Sequence, residues 1–145
     1  MVGNRPPQQM LDPETGALER SVFSFMVNHH LQLIQRSQRT LVLLLVTVDR
    51  AHPLSSAALP ILARYCLDTI RATDLMGRLD AHQLALAFPT TGETTAEQII
   101  WRLETQLKKG RAAGTFPHEL GVDWRVRVGT ADGPATFDAL IAPPS

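Results

Sequence analysis

The feature that most constrains this fold is a continuous apolar run in residues 40–49, which contain Leu-Val-Leu-Leu-Leu-Val-Thr-Val. A strand with one face in water alternates apolar and polar residues, because successive side chains point to opposite faces. This run is apolar or β-branched at every position and therefore on both faces. We predict a central strand that is covered on both sides.

The remaining elements follow from helical or two-residue periodicity and from turn residues between the periodic segments. In chain order we predict helix 19–37, the strand at 40–49, a helix capped by Ser55 or Ser56, strands at 73–79 and 83–88, helix 94–109, a loop at 110–123, a strand at 124–128 and a last helical turn at 136–141.

The second helix has the clearest apolar stripe, and the helix at 94–109 has another. The two stripes are Leu59, Leu62, Ala63, Cys66, Leu67 and Ile70, then Ala96, Ile99, Ile100, Leu103 and Leu107. The order of elements predicts an α/β (α+β) protein with the β-α-β-β-α-β core of ferredoxin-like folds. Two helices would cover one face of an antiparallel sheet, and an extra N-terminal helix would lie alongside.

Composition excludes several classes of protein. The chain has 145 residues, a one-domain length, and its 14 basic and 14 acidic residues cancel. A neutral chain is not expected to bind nucleic acid or an anionic membrane through a general basic excess. Cys66 is the only cysteine, so neither an intrachain disulfide nor a cysteine zinc site is possible. No apolar run is long enough to span a bilayer, so we expect a cytoplasmic protein without membrane insertion.

Five segments in the predicted order resemble GGDEF domains, the diguanylate cyclase family. The first, Asp12-Pro-Glu-Thr-Gly-Ala-Leu-Glu-Arg, is similar to the family's opening Asp-x-Leu-Thr-Gly-Leu-x-Asn-Arg. The others are the strand that ends at Asp49, the segment 71–78, the strand Ala85-Leu-Ala-Phe-Pro and the segment Val128-Gly-Thr-Ala. The resemblance covers residues 12–131. It implies a GGDEF-like domain at 12–141, truncated at its C-terminus, between a flexible leader at 1–11 and a tail at 142–145.

The resemblance also implies that catalysis has been lost. Active members condense two GTP molecules into cyclic di-GMP with divalent metal, which takes carboxylate ligands. Thr47 replaces the first strand's aspartate, and Asp80-Ala-His-Gln-Leu stands in place of Gly-Gly-Asp/Glu-Glu-Phe. The stretch that recognises guanine is also missing. We therefore expect no enzyme activity, no catalytic residue, no metal and no cofactor, and we interpret Asp80 as a solvated turn residue rather than a ligand of a displaced metal.

The Arg-x-x-Asp motif at Arg71 and Asp74 is retained, five residues before the altered hairpin. In active members of the family this motif binds the product, cyclic di-GMP. Arg71 could form a fork onto a phosphate or onto guanine, and Asp74 could accept hydrogen bonds from guanine. We expect Arg78 or another arginine to complete the site. The alternative is structural: Asp74 pairs with a neighbouring arginine, and Arg71 only complements a helix C-terminus.

These residues predict a catalytically inactive GGDEF-like receptor that binds cyclic di-GMP at Arg71, Asp74 and Arg78 and that self-associates or binds a protein partner. The alternative is an interaction module on the same fold that functions without a nucleotide. Weaker candidates do not change this interpretation. His29 and His30 are adjacent, so a helix directs them apart and they cannot chelate one metal.

Overall fold

The computed structural model describes residues 10–89 and 96–143 of the chain. Its helices and strands follow the predicted order. They are α1 (Arg20–Ser37), β1 (Leu41–Val48), α2 (Ser55–Thr69), β2 (Leu75–Asp80), β3 (Gln83–Phe88), α3 (Ala96–Ala113), β4 (Val122–Gly129) and α4 (Phe137–Ile141).

The four strands form one sheet in the order β2-β3-β1-β4, in which every neighbouring pair is antiparallel. β1 is central: Leu44 lies opposite Leu86 of β3 on one side and Val126 of β4 on the other. The prediction of a ferredoxin-like antiparallel core is confirmed, and the apolar run lies where a strand buried on both faces belongs.

Alternate residues of β1 enter two separate apolar clusters. Leu44 and Val46 pack beneath α2 and α3, whereas Leu43 and Leu45 pack beneath α1 and α4. The N-terminal helix, expected alongside the sheet, therefore covers the face opposite to α2 and α3. Within the described residues, no helix combines the length and apolar character needed to cross a bilayer.

α3 continues to Ala113, so the prediction of a loop from residue 110 was wrong for its first four residues. Gly110 does not break the helix because it packs against Tyr65: a Cβ there would lie 2.3 Å from the Tyr65 hydroxyl oxygen. The helix ends before Gly114, which has a φ of +80° that glycine adopts without strain. Thr94, in the predicted start of this helix, lies outside the described residues.

The predicted serine cap of α2 was also wrong. Leu54 occupies the N-cap position, and no side chain caps the helix. Ser55 is already helical and buried, and its hydroxyl shares a 3.1 Å hydrogen bond with Nδ1 of His82. The helical stripe itself is present, although Leu67 is 40% exposed.

Of the predicted leader and tail, residues 1–9, 144 and 145 lie outside the described part of the chain. Met10 and Leu11, which the sequence assigned to the leader, contact the start of α1. The Met10 carbonyl accepts a hydrogen bond from the Glu19 amide, and Leu11 forms a bridge with Leu18.

Candidate functional site

A compact turn at Asp12–Ala17 fixes the chain beside β2. The Asp12 carboxylate accepts hydrogen bonds from the Thr15 amide (2.9 Å) and the Thr15 hydroxyl (2.7 Å). Gly16 adopts a φ of +75° and donates to the Asp12 carbonyl. Beyond the turn, Leu18 bridges Gly77 and thereby lines the outer edge of β2. The Asp-x-x-Thr-Gly motif is therefore a structural element that covers a sheet edge.

Arg78 of β2 is bound to this same turn. Its Nη1 donates to a carboxylate oxygen of Asp12 at 2.8 Å and of Glu14 at 2.7 Å. Burial alone would raise the pKa of Asp12, but the hydrogen bonds from Thr15 and Arg78 lower it below its ordinary value. The guanidinium lines a cavity with Asp12, Glu19 and Arg20, not the cavity that contains Arg71 and Asp74. The structure does not bring Arg78 together with the other two predicted site residues.

Arg71 and Asp74 are brought together by a closed turn between α2 and β2. The Asp74 carboxylate accepts a hydrogen bond from the Arg71 backbone amide at 2.8 Å, and the Asp74 amide donates to the Arg71 carbonyl at 3.0 Å. The partner of Asp74 is thus the main chain of the neighbouring arginine. The turn holds both residues in fixed positions, and Arg71 is exposed.

A cavity of about 420 Å³ opens beside this turn. Arg71 and Asp74 lie in its wall, and Gly16 of the Asp12–Ala17 turn also lines it. Its apolar lining includes Met26, Leu67, Ile70, Leu75 and Met76. This volume is within the range of small-molecule sites. The lining combines a guanidinium fork, a carboxylate and apolar surface, which together suit a ligand with phosphate, hydrogen-bonding and flat aromatic parts.

The end of β1 and the β2–β3 turn carry a second set of polar contacts. Nε2 of Gln83 donates to the Thr47 hydroxyl at 3.0 Å, and these two residues lie opposite each other in the sheet. Next to them, the Arg50 guanidinium forms a 2.8 Å ion pair with Asp80. Burial would raise the pKa of Asp80, but the Arg50 hydrogen bond and the His82 amide lower it. The side chains of Thr47, Gln83, Arg50 and Asp80 are therefore each bound to another part of the protein.

The carboxylate of Asp49, at the same end, accepts a hydrogen bond from the Ala51 amide at 3.0 Å. Asp80, interpreted from the sequence as a solvated turn residue, is exposed beside the β2–β3 turn, and its carboxylate also pairs with Arg50 and accepts a hydrogen bond from the His82 amide. Across the described residues, no group of three or more His, Cys, Asp or Glu side chains could hold a metal ion.

Sequence reasoning missed most of the cavity around Arg71. Met26 of α1 and Gly16 reach it only through the packing of α1 on the sheet, for which the sequence carries no local signal. The hydrogen bonds of the Asp12 carboxylate to Thr15 could have been predicted, because an aspartate three residues before a threonine is a known local turn pattern.

No protein-family model and no curated protein sequence matches this chain. Its fold does match solved structures. The GGDEF domain of FimX from Pseudomonas aeruginosa is 17% identical over 90% of this chain and 88% of that chain, with a TM-score of 0.68. A DGC protein from Thermotoga maritima is 17% identical over 83% and 90%, with a TM-score of 0.64. The GGDEF domain of DgcB from Caulobacter crescentus, solved in complex with c-di-GMP, is 11% identical over 91% and 83%, with a TM-score of 0.72. The chain therefore has the GGDEF-domain fold.

Proposed function

We propose that this chain is a catalytically inactive signalling domain that binds cyclic di-GMP at the turn formed by Arg71 and Asp74. The observation that carries the proposal is the hydrogen bond from the Arg71 amide to the Asp74 carboxylate, at the wall of a 420 Å³ cavity. This bond fixes the turn before any ligand arrives, so a ligand does not have to order it. The chain also shares its fold with a domain that was solved in complex with c-di-GMP.

Each part of the cavity has a counterpart in this ligand. Phosphate oxygens and the acceptor edge of guanine suit the Arg71 fork. The donor edge of guanine suits the Asp74 carboxylate, and the apolar surface around Leu67 and Met76 suits the face of a base. Arg78 is committed to Asp12 and Glu14, so its predicted contact with the same ligand would require two ion pairs to open.

Arg71 is the one cation among the described residues that line this cavity. Arg102 of α3 lines a different cavity, with Glu97 and Trp101. A ligand with two phosphates and two guanines needs several donors, and a second copy of the chain can supply the remainder. Binding is therefore expected to promote self-association.

The proposal that the chain is not catalytic rests on the residues around the C-terminal end of β1, at the other end of the sheet from the Arg71 turn. Condensation of GTP needs free carboxylates for metal and an open main chain for phosphate. There, Gln83 donates a hydrogen bond to the Thr47 hydroxyl, and Asp80 forms an ion pair with Arg50. Neither residue 80 nor residue 81, the positions of the glycine pair in the family's motif, is glycine, so side chains limit the approach of a phosphate to the turn.

Calorimetric titration with cyclic di-GMP tests the proposal. Arg71→Ala should weaken binding roughly ten- to a hundredfold, because one charge-assisted bidentate contact contributes about 1.5–3 kcal/mol. The fold should persist, since alanine keeps the backbone amide that Asp74 binds. Arg125→Ala is the matched control: this exposed arginine lies on β4, at the sheet edge opposite to β2. Unchanged affinity in Arg71→Ala would refute the site.

A second candidate is an interaction module that needs no nucleotide. It is favoured by Val126 and Val128, which are 40% and 48% exposed on the edge strand β4. If the native chain gives no heat with cyclic di-GMP, the receptor proposal fails and this candidate stands.

A further inference from the structure

A separate cavity of about 470 Å³ lies between α3 and β4, on the far side of the molecule from the Arg71 turn in sheet order. The second half of α3 forms one wall, and the first residues of β4 form the other. It shares no lining residue with the cavity around Arg71. A ligand bound here would contact none of the residues that line the cavity of the function proposed above.

The inner wall of this cavity is apolar. Leu107 is 2% exposed, and Val122 and Trp124 are partly buried against the same apolar cluster. The indole of Trp124 gives a flat surface of the kind that stacks with another aromatic ring. An apolar ligand placed between α3 and β4 would be removed from water on both of its faces.

The rim of the cavity carries an excess of positive charge. The lining contains two cations, Lys108 and Arg111, and one acid, Glu104. His118 adds a further polar group. None of these side chains except Arg111 has a hydrogen bond or ion pair within the described residues. The rim therefore attracts an anion more strongly than a neutral molecule or a cation.

Contacts within the protein hold Arg111 in place, but one hydrogen-bond donor of its guanidinium has no partner among the described residues. Its Nη2 donates to the Leu120 carbonyl at 2.6 Å, and the guanidinium lies 5.5 Å from the centre of the Phe116 ring. Its Nε is buried and has no hydrogen-bond partner in the described part of the chain. A charged donor left without an acceptor is unfavourable, and an anion in the cavity that Arg111 lines would offset part of that cost by its attraction to the guanidinium charge.

We propose that this cavity binds an organic anion with an aromatic body. The ring lies against Trp124 and Leu107, and the carboxylate, sulfonate or phosphate group of the ligand is bound by Lys108 and Arg111. Volume, apolar wall and charged rim together define this class of ligand. An inorganic anion lacks the apolar body, and a neutral aromatic compound lacks the charge.

Fluorescence titration with anilinonaphthalene sulfonate tests the site, because the probe has both features and brightens in an apolar environment. Phenylnaphthylamine, the same rings without the sulfonate, is the neutral comparison. We expect the sulfonate probe to saturate and to bind at least several-fold more tightly than the neutral one. Inorganic sulfate should not displace it at equal concentration. Equal affinity for the two aromatic probes, or no saturation, would overturn the proposal.

Two matched pairs of variants test whether the probe binds in this cavity. Lys108 lines the cavity and Lys109 does not, and the same is true of Ala112 and Ala113. We expect Lys108→Gln and Ala112→Glu to weaken probe binding by roughly three- to tenfold, through loss of a cation or gain of an anion. Lys109→Gln and Ala113→Glu should have less than half that effect. All four positions are exposed on α3, so folding is preserved, and equal effects within each pair would refute the location.

Discussion

The Arg78 guanidinium is held between two carboxylates that differ in burial. The Asp12 side chain is 20% exposed, whereas the Glu14 side chain is 67% exposed, although both lie within 2.8 Å of the same nitrogen. An exposed ion pair contributes little because water and salt screen it. The Asp12 carboxylate also accepts two hydrogen bonds from Thr15 and is mostly removed from water. Its replacement is therefore costly to the free energy of folding.

We predict that Asp12→Asn lowers the free energy of unfolding by about 1–3 kcal/mol, because the largely buried guanidinium of Arg78 loses a charged partner. Glu14→Gln should lower it by less than about 1 kcal/mol, as expected of an exposed pair. Urea unfolding followed by circular dichroism measures both. Equal losses in the two variants would mean that burial does not set the strength of these contacts.

The same pair predicts a dependence on pH. The pKa of Asp12 is lowered in the folded state, so its contribution is fully present above the ordinary value of 3.8 and is lost as the pH falls through the lower folded value. The difference in unfolding free energy between the native chain and Asp12→Asn should therefore be largest at about pH 7 and should shrink at about pH 3. A difference that grows on acidification would contradict the sign of this shift.

At the scale of elements, β2 and α1 approach each other at one glycine. A Cβ on Gly77 would lie 2.3 Å from Cγ of Phe23, a buried ring that also packs edge-on against Phe137. Gly121, just before β4, has open space in the same direction. We predict that Gly77→Ala lowers the free energy of unfolding by about 1–3 kcal/mol through overpacking, whereas Gly121→Ala leaves it nearly unchanged. Thermal unfolding of the two variants distinguishes them, and a stable Gly77→Ala would show that α1 can move.

The β2–β3 hairpin and the end of β1 carry the prediction about catalysis. Incubation with GTP and magnesium or manganese should yield no cyclic di-GMP, and Thr47→Asp should not restore it. One carboxylate cannot rebuild a site whose neighbouring acid, Asp80, is paired with Arg50. Chromatography of the nucleotides is the measurement. Product that disappears in Asp49→Ala would establish an active enzyme and refute this part of the account.

Elements were predictable where periodicity was local, and errors arose where a partner was distant in sequence. β1 and α2 follow from their own residues. The end of α3 does not, because Gly110 is tolerated through its contact with Tyr65 of another helix. Ser55 failed as a cap because its hydroxyl is bound to His82, 27 residues away.

The candidate site shows the same limit. Arg71 and Asp74 are three residues apart and were found together. Arg78 was predicted to complete the site, and its ion pairs with Asp12 and Glu14 could not be predicted, because those partners lie 66 and 64 residues away and no local pattern indicates them.

At the scale of the whole molecule, the sheet separates two apolar clusters and also separates the candidate sites. The Arg71 cavity lies at the β2 edge, beside the Asp12–Ala17 turn. The α3–β4 cavity lies at the opposite edge, and the altered hairpin lies at one end of the sheet. A ligand at any one of these places therefore perturbs a different set of residues.

The central claim, that cyclic di-GMP binds at the Arg71 turn and not at the β2–β3 hairpin, is tested most directly by amide chemical shifts. Proton–nitrogen correlation spectra recorded during a titration with cyclic di-GMP should show the largest changes at Gly16, at Leu67 and in residues 70–76, most of which line one cavity. The Arg71 amide should remain hydrogen-bonded, with slow exchange, since Asp74 already binds it. Changes confined to residues 47–50 and 80–83, or no changes at all, would contradict the account.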